Sequence, residues 1–200
     1  MNYEHDVDWR SLEREDRQQQ QGNVVPMKAD RPARIDSRKV RVFGKTAALT
    51  FEETTSRHEG QTISVDAAAK QGETVLWKDK IIFQFTVDEL PVLAAVLIGA
   101  LPEFDFKFHG EKKDKSVGVY RRANAVLFKV VHGQKCFTVP VPPGQLFHLS
   151  SLVMSQLSAS WPGIDGSMML AQIRSLASVV QVAPQGDAGG RQQNNHGPRG

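Results

Sequence analysis

The chain has 200 residues and a mass of 22.2 kDa, which suffices for one domain with a hydrophobic core or two very small ones. Its 40% apolar and 24% charged residues exclude a wholly disordered or fibrous protein. The net charge is only +3, so a nucleic-acid-binding function would have to rest on local clustering of basic residues.

Both ends of the chain lack the apolar periodicity of folded segments. Residues 1–38 carry charges of both signs, a glutamine tract and two prolines, and residues 183–200 are mostly Gly, Gln, Asn and Pro. Because such segments cannot bury enough apolar surface to fold, we expect both to be disordered. The sequence therefore predicts one folded domain over residues 39–182.

The first block of this domain contains strand-like segments. Residues 39–51 are rich in β-branched and aromatic residues and are interrupted by Gly44, which predicts two short strands or one bent strand. Residues 61–65 supply another strand, and residues 73–85 supply two more around a polar turn at Lys78. Four strands are therefore expected before the first helix.

That first helix is predicted from the change of period after the strands. Thr86 and Glu89 have the spacing of a capping box, although Pro91 would fit the first turn better if Asp88 were the cap. The helix should run to about residue 98 and stop at Gly99. Its almost wholly apolar sequence predicts burial on most sides.

The second block repeats the order of strands followed by a helix. Alternation over residues 104–108 places its three phenylalanines on one face, where we expect them in the core. Three further strands are predicted over residues 116–122, 125–131 and 135–141. The pattern indicates an α+β fold with two antiparallel sheets, each of four strands followed by a helix.

Two amphipathic helices complete the domain. The second helix should begin near Pro143 and end at Trp161, because Leu149, Val153 and Leu157 form one apolar stripe. A third, C-terminal helix should follow Asp165 or Ser167, with an apolar stripe at Met169, Ile173, Leu176 and Val180. This stripe could pack within the protomer or against a partner subunit.

Four segments, in the same order, resemble the Whirly family of single-stranded-DNA-binding proteins, which belongs with the PC4-like fold. Residues 44–50, Gly-Lys-Thr-Ala-Ala-Leu-Thr, are similar to its Lys-Gly-Lys-Ala-Ala-Leu-Ser signature. Residues 77–89 resemble its Trp-x-x-Lys strand leading into a helix, and residues 104–109 its Glu-Phe-Phe-His segment. Residues 139–147, with Trp-Pro-Gly at 161–163, are similar to its second helix and closing motif.

The resemblance implies a function and an assembly. It implies non-catalytic binding of single-stranded DNA with little sequence specificity, in support of DNA transfer, repair, replication or transcription. It also implies a homotetramer whose helices pack centrally while single strands run along the sheets. An RNA-binding or annealing protein on the same fold, and an oligomeric protein-interaction scaffold, are the alternatives that we retain.

The residues themselves supply the cations that such a protein needs along a nucleic-acid backbone. Residues 107–135 contain eight basic side chains against Glu111 and Asp114, whereas residues 86–106 contain four acids and no base. The near-neutral total therefore conceals a basic segment. Its candidate binding residues are Lys107, Lys112, Lys113, Lys115, Arg121, Arg122, Lys129 and Lys135. The alternative is that the cluster of Lys112, Lys113 and Lys115 is an ordinary solvent-exposed turn without a binding function.

The first block adds candidates of both kinds, cationic and aromatic. Alternation should place Arg41, Phe43 and Lys45 on one face of the first strand, opposite Val40 and Val42. The further candidates are Lys39, Trp77, Lys78 and Lys80. Trp77 could be a stacking platform for a base or a plug between subunits, and the sequence leaves both open.

Enzymatic chemistry is poorly supported. His132 and Cys136 could meet across a hairpin turn, but no third member of a nucleophilic site is evident. The histidines show no metal-ligand spacing, and there is no glycine-rich phosphate loop. We expect no catalytic residues, no metal and no cofactor.

Cysteine usage and hydropathy bear on the compartment. Cys136 is the only cysteine, so a disulfide framework is excluded and a reducing compartment is favoured. The longest apolar run, residues 90–101, is too short to span a bilayer, and the first ten residues do not resemble a signal peptide. We expect a soluble cytoplasmic protein, in the bacterial cytoplasm or nucleoid, without membrane contact.

Overall fold

The computed structural model describes residues 39–56 and 60–182. These residues form nine strands, one 3₁₀ turn and three helices. In chain order they are β1 (Lys39–Phe43), β2 (Ala47–Ser56), β3 (Gly60–Gln71), β4 (Thr74–Val75), the 3₁₀ turn (Trp77–Asp79), β5 (Ile81–Gln84), α1 (Glu89–Leu97), β6 (Glu103–His109), β7 (Lys115–Arg122), β8 (Ala125–His132), β9 (Lys135–Val141), α2 (Pro143–Ser160) and α3 (Gly166–Val182). The predicted α+β class, with two antiparallel sheets and a C-terminal third helix, is confirmed. The two ends expected to be disordered lie outside the described residues.

The first sheet has the order β1-β2-β3, with β4 and β5 both paired to β3. Strands β2 and β3 are much longer than predicted, because β2 pairs with β3 along its whole length, from Ala47 opposite Ala69 to Ser56 opposite Gly60, and the last two residues of β3 pair with β4. The residues that extend β2 are polar, and those that extend β3 are rich in alanine. Neither extension therefore has the β-branched and aromatic residues from which a strand is predicted. The first block therefore contains five strands instead of four.

The second sheet is an antiparallel meander in the order β6-β7-β8-β9, as predicted. One local expectation is wrong, because a bulge shifts the β6–β7 register between Phe106 and His109. Phe108, expected in the core, has φ of +67° and is 74% exposed. The bulge instead turns His109 inward, where its ring lies 4.1 Å from the Phe83 ring and Nε2 lies 2.7 Å from Glu89 Oε1.

The inner faces of the two sheets pack directly on each other. Phe51 of the first sheet meets Phe128 of the second edge to face, with ring centroids 4.9 Å apart. Phe85, just beyond β5, meets Phe106 in the same way at 5.1 Å. Aromatic pairs of this geometry contribute beyond their buried area, so they fix how the sheets face each other.

The first helix closes one side of this core. Thr86 and Glu89 exchange the two hydrogen bonds of the predicted capping box, at 2.8 and 3.2 Å. Six of the nine helical residues are buried, as its apolar sequence predicts. Gly99, with φ of +86°, ends the helix in the left-handed conformation that a glycine adopts without strain.

The other two helices pack beside it. Helix α2 lies against β3 and α1, and α3 lies against α1. Asp165 caps α3 through the backbone N–H groups of Ser167 and Met168. The α3 stripe buries Met169 and Ile173 within the protomer, and no described helix is long and apolar enough to cross a membrane. The helices leave the outer faces of both sheets with many exposed side chains.

Candidate nucleic-acid interface

Strand β1 presents a cationic and aromatic outer face. Val42 is buried and Val40 half-buried, while Arg41 and Phe43 alternate with them and are exposed, as predicted. Lys39 shares this exposed face. Phe43 is 57% exposed, although it is a large apolar side chain on a strand. The strand ends at Phe43, so Lys45 does not continue this row and lies in the exposed turn before β2.

The outer face of the first sheet contains a depression of about 350 Å³, which we call the outer groove. It brings together five of the predicted residues with three further polar ones. Lining residues are Lys39, Arg41, Phe43, Thr50, Glu52, Asp66, Trp77 and Lys80. Phe43 comes from β1 and the half-buried Trp77 from the 3₁₀ turn, so elements far apart in sequence contribute aromatic rings to one groove.

Two ion pairs hold the lysines of the outer groove. Lys39 Nζ lies 2.9 Å from Glu52 Oε1, and Lys80 Nζ lies 2.6 Å from Asp66 Oδ2. Arg41 belongs to none of the ion pairs found among the described residues. Exposed ion pairs contribute at most about 1 kcal/mol, so an incoming phosphate can compete with the carboxylates for these lysines.

The outer face of the second sheet is organised around Tyr120. A Cβ at Gly118 would lie 2.2 Å from the Tyr120 Oη, so the phenol ring covers Gly118 and any side chain at that position would displace the ring. The hydroxyl donates to Asp105 Oδ1 at 2.5 Å. Burial, followed by that hydrogen bond, raises the pKa of Tyr120 to about 12. Arg122 Cζ lies 5.5 Å from the centroid of the Tyr120 ring, and Arg122 Nη1 lies 3.8 Å from Glu103 Oε2.

Two predicted binding residues donate hydrogen bonds to backbone carbonyl oxygens within the fold. Arg121 Nη1 donates to the carbonyl oxygens of Val96 and Leu97, at 3.0 and 2.8 Å, at the C-terminus of α1. Lys115 Nζ donates to the carbonyl oxygen of Ile82 at 3.1 Å and so joins the two sheets. Alternation along β7 explains both, since these residues share a face with the buried Val117 and Val119.

The remaining predicted cations are dispersed. Lys107 lies 3.5 Å from Asp105, and Lys129 lies on the outer face of β8 opposite Gly118. The others are exposed: Lys78 in the 3₁₀ turn, Lys112 and Lys113 between β6 and β7, and Lys135 at the start of β9. The basic segment is thus distributed over an outer face, a turn and two inward positions.

Sequence reasoning missed Phe108 as a candidate, because strict alternation assigned its side chain to the core. The ring instead shares a depression of about 190 Å³ with Lys107, Lys113 and Lys115. The one sequence hint was Gly110, which follows the bulge and has a φ of +80°. A bulge produced by tertiary packing of His109 leaves no other signal in the pattern.

His132 and Cys136 do not meet across the turn between β8 and β9. Pairing of Val131 with Cys136 and of His132 with Lys135 places the histidine and the cysteine on opposite faces of the sheet. His132 Nε2 lies 3.5 Å from Asp114 instead. Among the described residues, no group of three His, Cys, Asp or Glu side chains could hold a metal ion.

Comparison with known proteins adds no relative. No family model, curated protein or solved structure matches the chain.

Proposed function

We propose that the protein binds single-stranded DNA, without catalysis and with little sequence specificity, along the outer face of its first sheet. The observation that carries this proposal is the outer groove, where the exposed ring of Phe43 and the half-buried ring of Trp77 line the same depression as Arg41 and Lys80. A single strand offers unpaired bases and a negatively charged backbone. The aromatic rings of the groove can stack on the bases, and its cations can contact the phosphates.

The chemistry of the groove favours a single strand over a duplex. Bases in a duplex are stacked on one another, so their flat faces are not accessible to Phe43 or Trp77. Stacking tolerates every base, and lysine and arginine contacts to phosphate carry no sequence information directly. Asp66 and Glu52 orient the lysines before binding and are displaced by phosphate when the strand arrives.

We further propose a Whirly or PC4-like arrangement and a homotetramer assembled through the helices. Supporting this, the helical side exposes Phe147, Met168 and Val179, with Trp161 at the end of α2. An apolar groove of about 370 Å³ lies between the helices and is lined in part by Trp161, Ile164 and Leu176. Covering such a surface stabilises an oligomer. The mass measured by light scattering tests it: four protomers are expected, and a monomer at micromolar concentration would contradict the assembly.

A matched pair of substitutions at Phe43 tests the binding proposal. Phe43→Ala should weaken binding of a labelled oligothymidylate about tenfold, because one base–aromatic stack is lost. Phe43→Tyr keeps an aromatic ring at the same exposed position and should retain the wild-type affinity. Equal affinities of the two variants would contradict the proposed site. A matched RNA competitor that displaces the DNA at equal concentration would favour the RNA-binding alternative.

A further inference from the structure

Phe108 is the most unusual residue on the surface of the described chain. It combines a φ of +67°, which bulky residues rarely adopt, with an exposure of 74% for an aromatic ring. The bulge that produces both features is held from inside, where His109 packs on Phe83 and accepts or donates a hydrogen bond with Glu89. The ring is therefore presented to solvent by a fixed backbone and is not a frayed strand end.

The surroundings of Phe108 are cationic. The depression that it lines contains Lys107, Lys113 and Lys115 but only one carboxylate, Asp114. That carboxylate also lies 3.5 Å from His132 Nε2. We call this place the Phe108 corner, and it repeats the combination of an exposed ring with nearby cations found in the outer groove.

The Phe108 corner and the outer groove are joined across the first sheet. Register places Arg41, Thr50, Asp66 and Ile82 in one row across β1, β2, β3 and β5. Lys115, which lines the corner, donates to the carbonyl oxygen of that same Ile82. Since neighbouring strands lie about 4.8 Å apart, the row itself spans about 14 Å. The exposed side chain of Ile82 gives the path an apolar step between the two sites.

We propose that the Phe108 corner is a second base-stacking subsite, occupied by the same single strand that occupies the outer groove. The strand crosses the first sheet along the row from Arg41 to Ile82. One base stacks near Phe43, a later base stacks on Phe108, and Lys107 and Lys113 contact phosphate at the corner. This inference rests on the proposed single-strand binding, and it adds a length requirement, because only an oligonucleotide long enough to reach both rings uses both.

The experiment uses the full chain and two oligothymidylates, one of three nucleotides and one of about 12. Phe108→Gly is the main variant, since glycine adopts the φ of this position freely and removes the ring without straining the fold. It should weaken binding of the longer oligonucleotide about tenfold and leave binding of the trinucleotide unchanged. Phe108→Tyr should retain the wild-type affinity, whereas Phe43→Ala should weaken both oligonucleotides.

Three outcomes would refute the second subsite, and they are distinguishable. If Phe108→Gly binds the longer oligonucleotide like the wild type while Phe43→Ala does not, the subsite is refuted and the proposed function stands. If the wild type binds neither oligonucleotide, the proposed function is refuted and the subsite with it. An equal loss for both lengths in Phe108→Gly, with an unchanged thermal midpoint, would also refute the second subsite, because it would place Phe108 in the primary one.

Discussion

Substitution of two adjacent arginines on β7, Arg121 and Arg122, should change the stability of the fold to different extents. Arg121 donates two hydrogen bonds to the last turn of α1 and packs over Gly99, whereas Arg122 extends outward beside Tyr120. Arg121→Ala should therefore destabilise the fold with little direct effect on binding. Arg122→Ala should leave stability within about 0.5 kcal/mol of the wild type, as expected for an exposed side chain.

The magnitude for Arg121→Ala follows from its contacts. A hydrogen bond to a charged group contributes about 1.5–3 kcal/mol, and a cation at a helix C-terminus contributes about 0.3–1 kcal/mol. Both bonds come from one nitrogen, and the site is only partly buried, so water can replace one of them after truncation. The expected loss is about 3 kcal/mol, which corresponds to a decrease of roughly 9 °C in thermal midpoint for a domain of this size.

Urea unfolding followed by far-UV circular dichroism measures this difference. The unfolding midpoint of Arg121→Ala should fall well below that of Arg122→Ala, with the slope unchanged. Arg121→Lys should be intermediate, because an ammonium keeps the charge but offers a different donor geometry. If Arg121→Ala and Arg122→Ala unfold at the same urea concentration, the assignment of Arg121 to the helix terminus is wrong.

Two further predictions concern charge. Five cations lie on or beside the outer groove: Lys39, Arg41, Lys45, Lys78 and Lys80. If each contacts one phosphate, a plot of the logarithm of affinity against the logarithm of salt concentration should have a slope of about −3.5, and Arg41→Ala should change this slope to about −2.8. An affinity that does not depend on salt would contradict phosphate contacts. Because the pKa of Tyr120 is raised from 10.0 to about 12, the unfolded chain releases this proton first, and stability contributed by the neutral phenol is lost as pH rises from 10 to 12. Tyr120→Phe should lose less thermal stability over that pH window than the wild type, and identical losses would contradict the raised pKa of Tyr120.

Much of the architecture could be predicted from local pattern. The bounds of α1, α2 and the four strands of the second sheet followed from capping spacing, apolar stripes and alternation, all of which act within a few residues. The extension of β2 and β3 could not, because Glu52 to Ser56 are polar and are held in a strand only by pairing with residues of β3. Long-range pairing of this kind has no local signature.

Some residues of the candidate site could likewise be predicted from local pattern, and others could not. Exposure of Arg41 and Phe43 follows from alternation along one strand, which the sequence displays. Alternation also places Arg121 and Lys115 on the same face of β7 as the buried Val117 and Val119. A count of basic residues along the segment does not distinguish the two faces of the strand. Phe108 was assigned to the wrong face because the packing of His109 on Phe83, between the two sheets, determines where the bulge falls.

The central claim is that the outer face of the first sheet binds single-stranded nucleic acid. Fluorescence anisotropy of the full chain with one labelled oligonucleotide, measured as a single strand and after annealing to its complement, tests it most directly. We predict binding of the single strand at least about tenfold tighter than binding of the duplex, consistent with loss of about one stacked base in the duplex. Equal affinity for the two forms, or no binding to either, would contradict the claim.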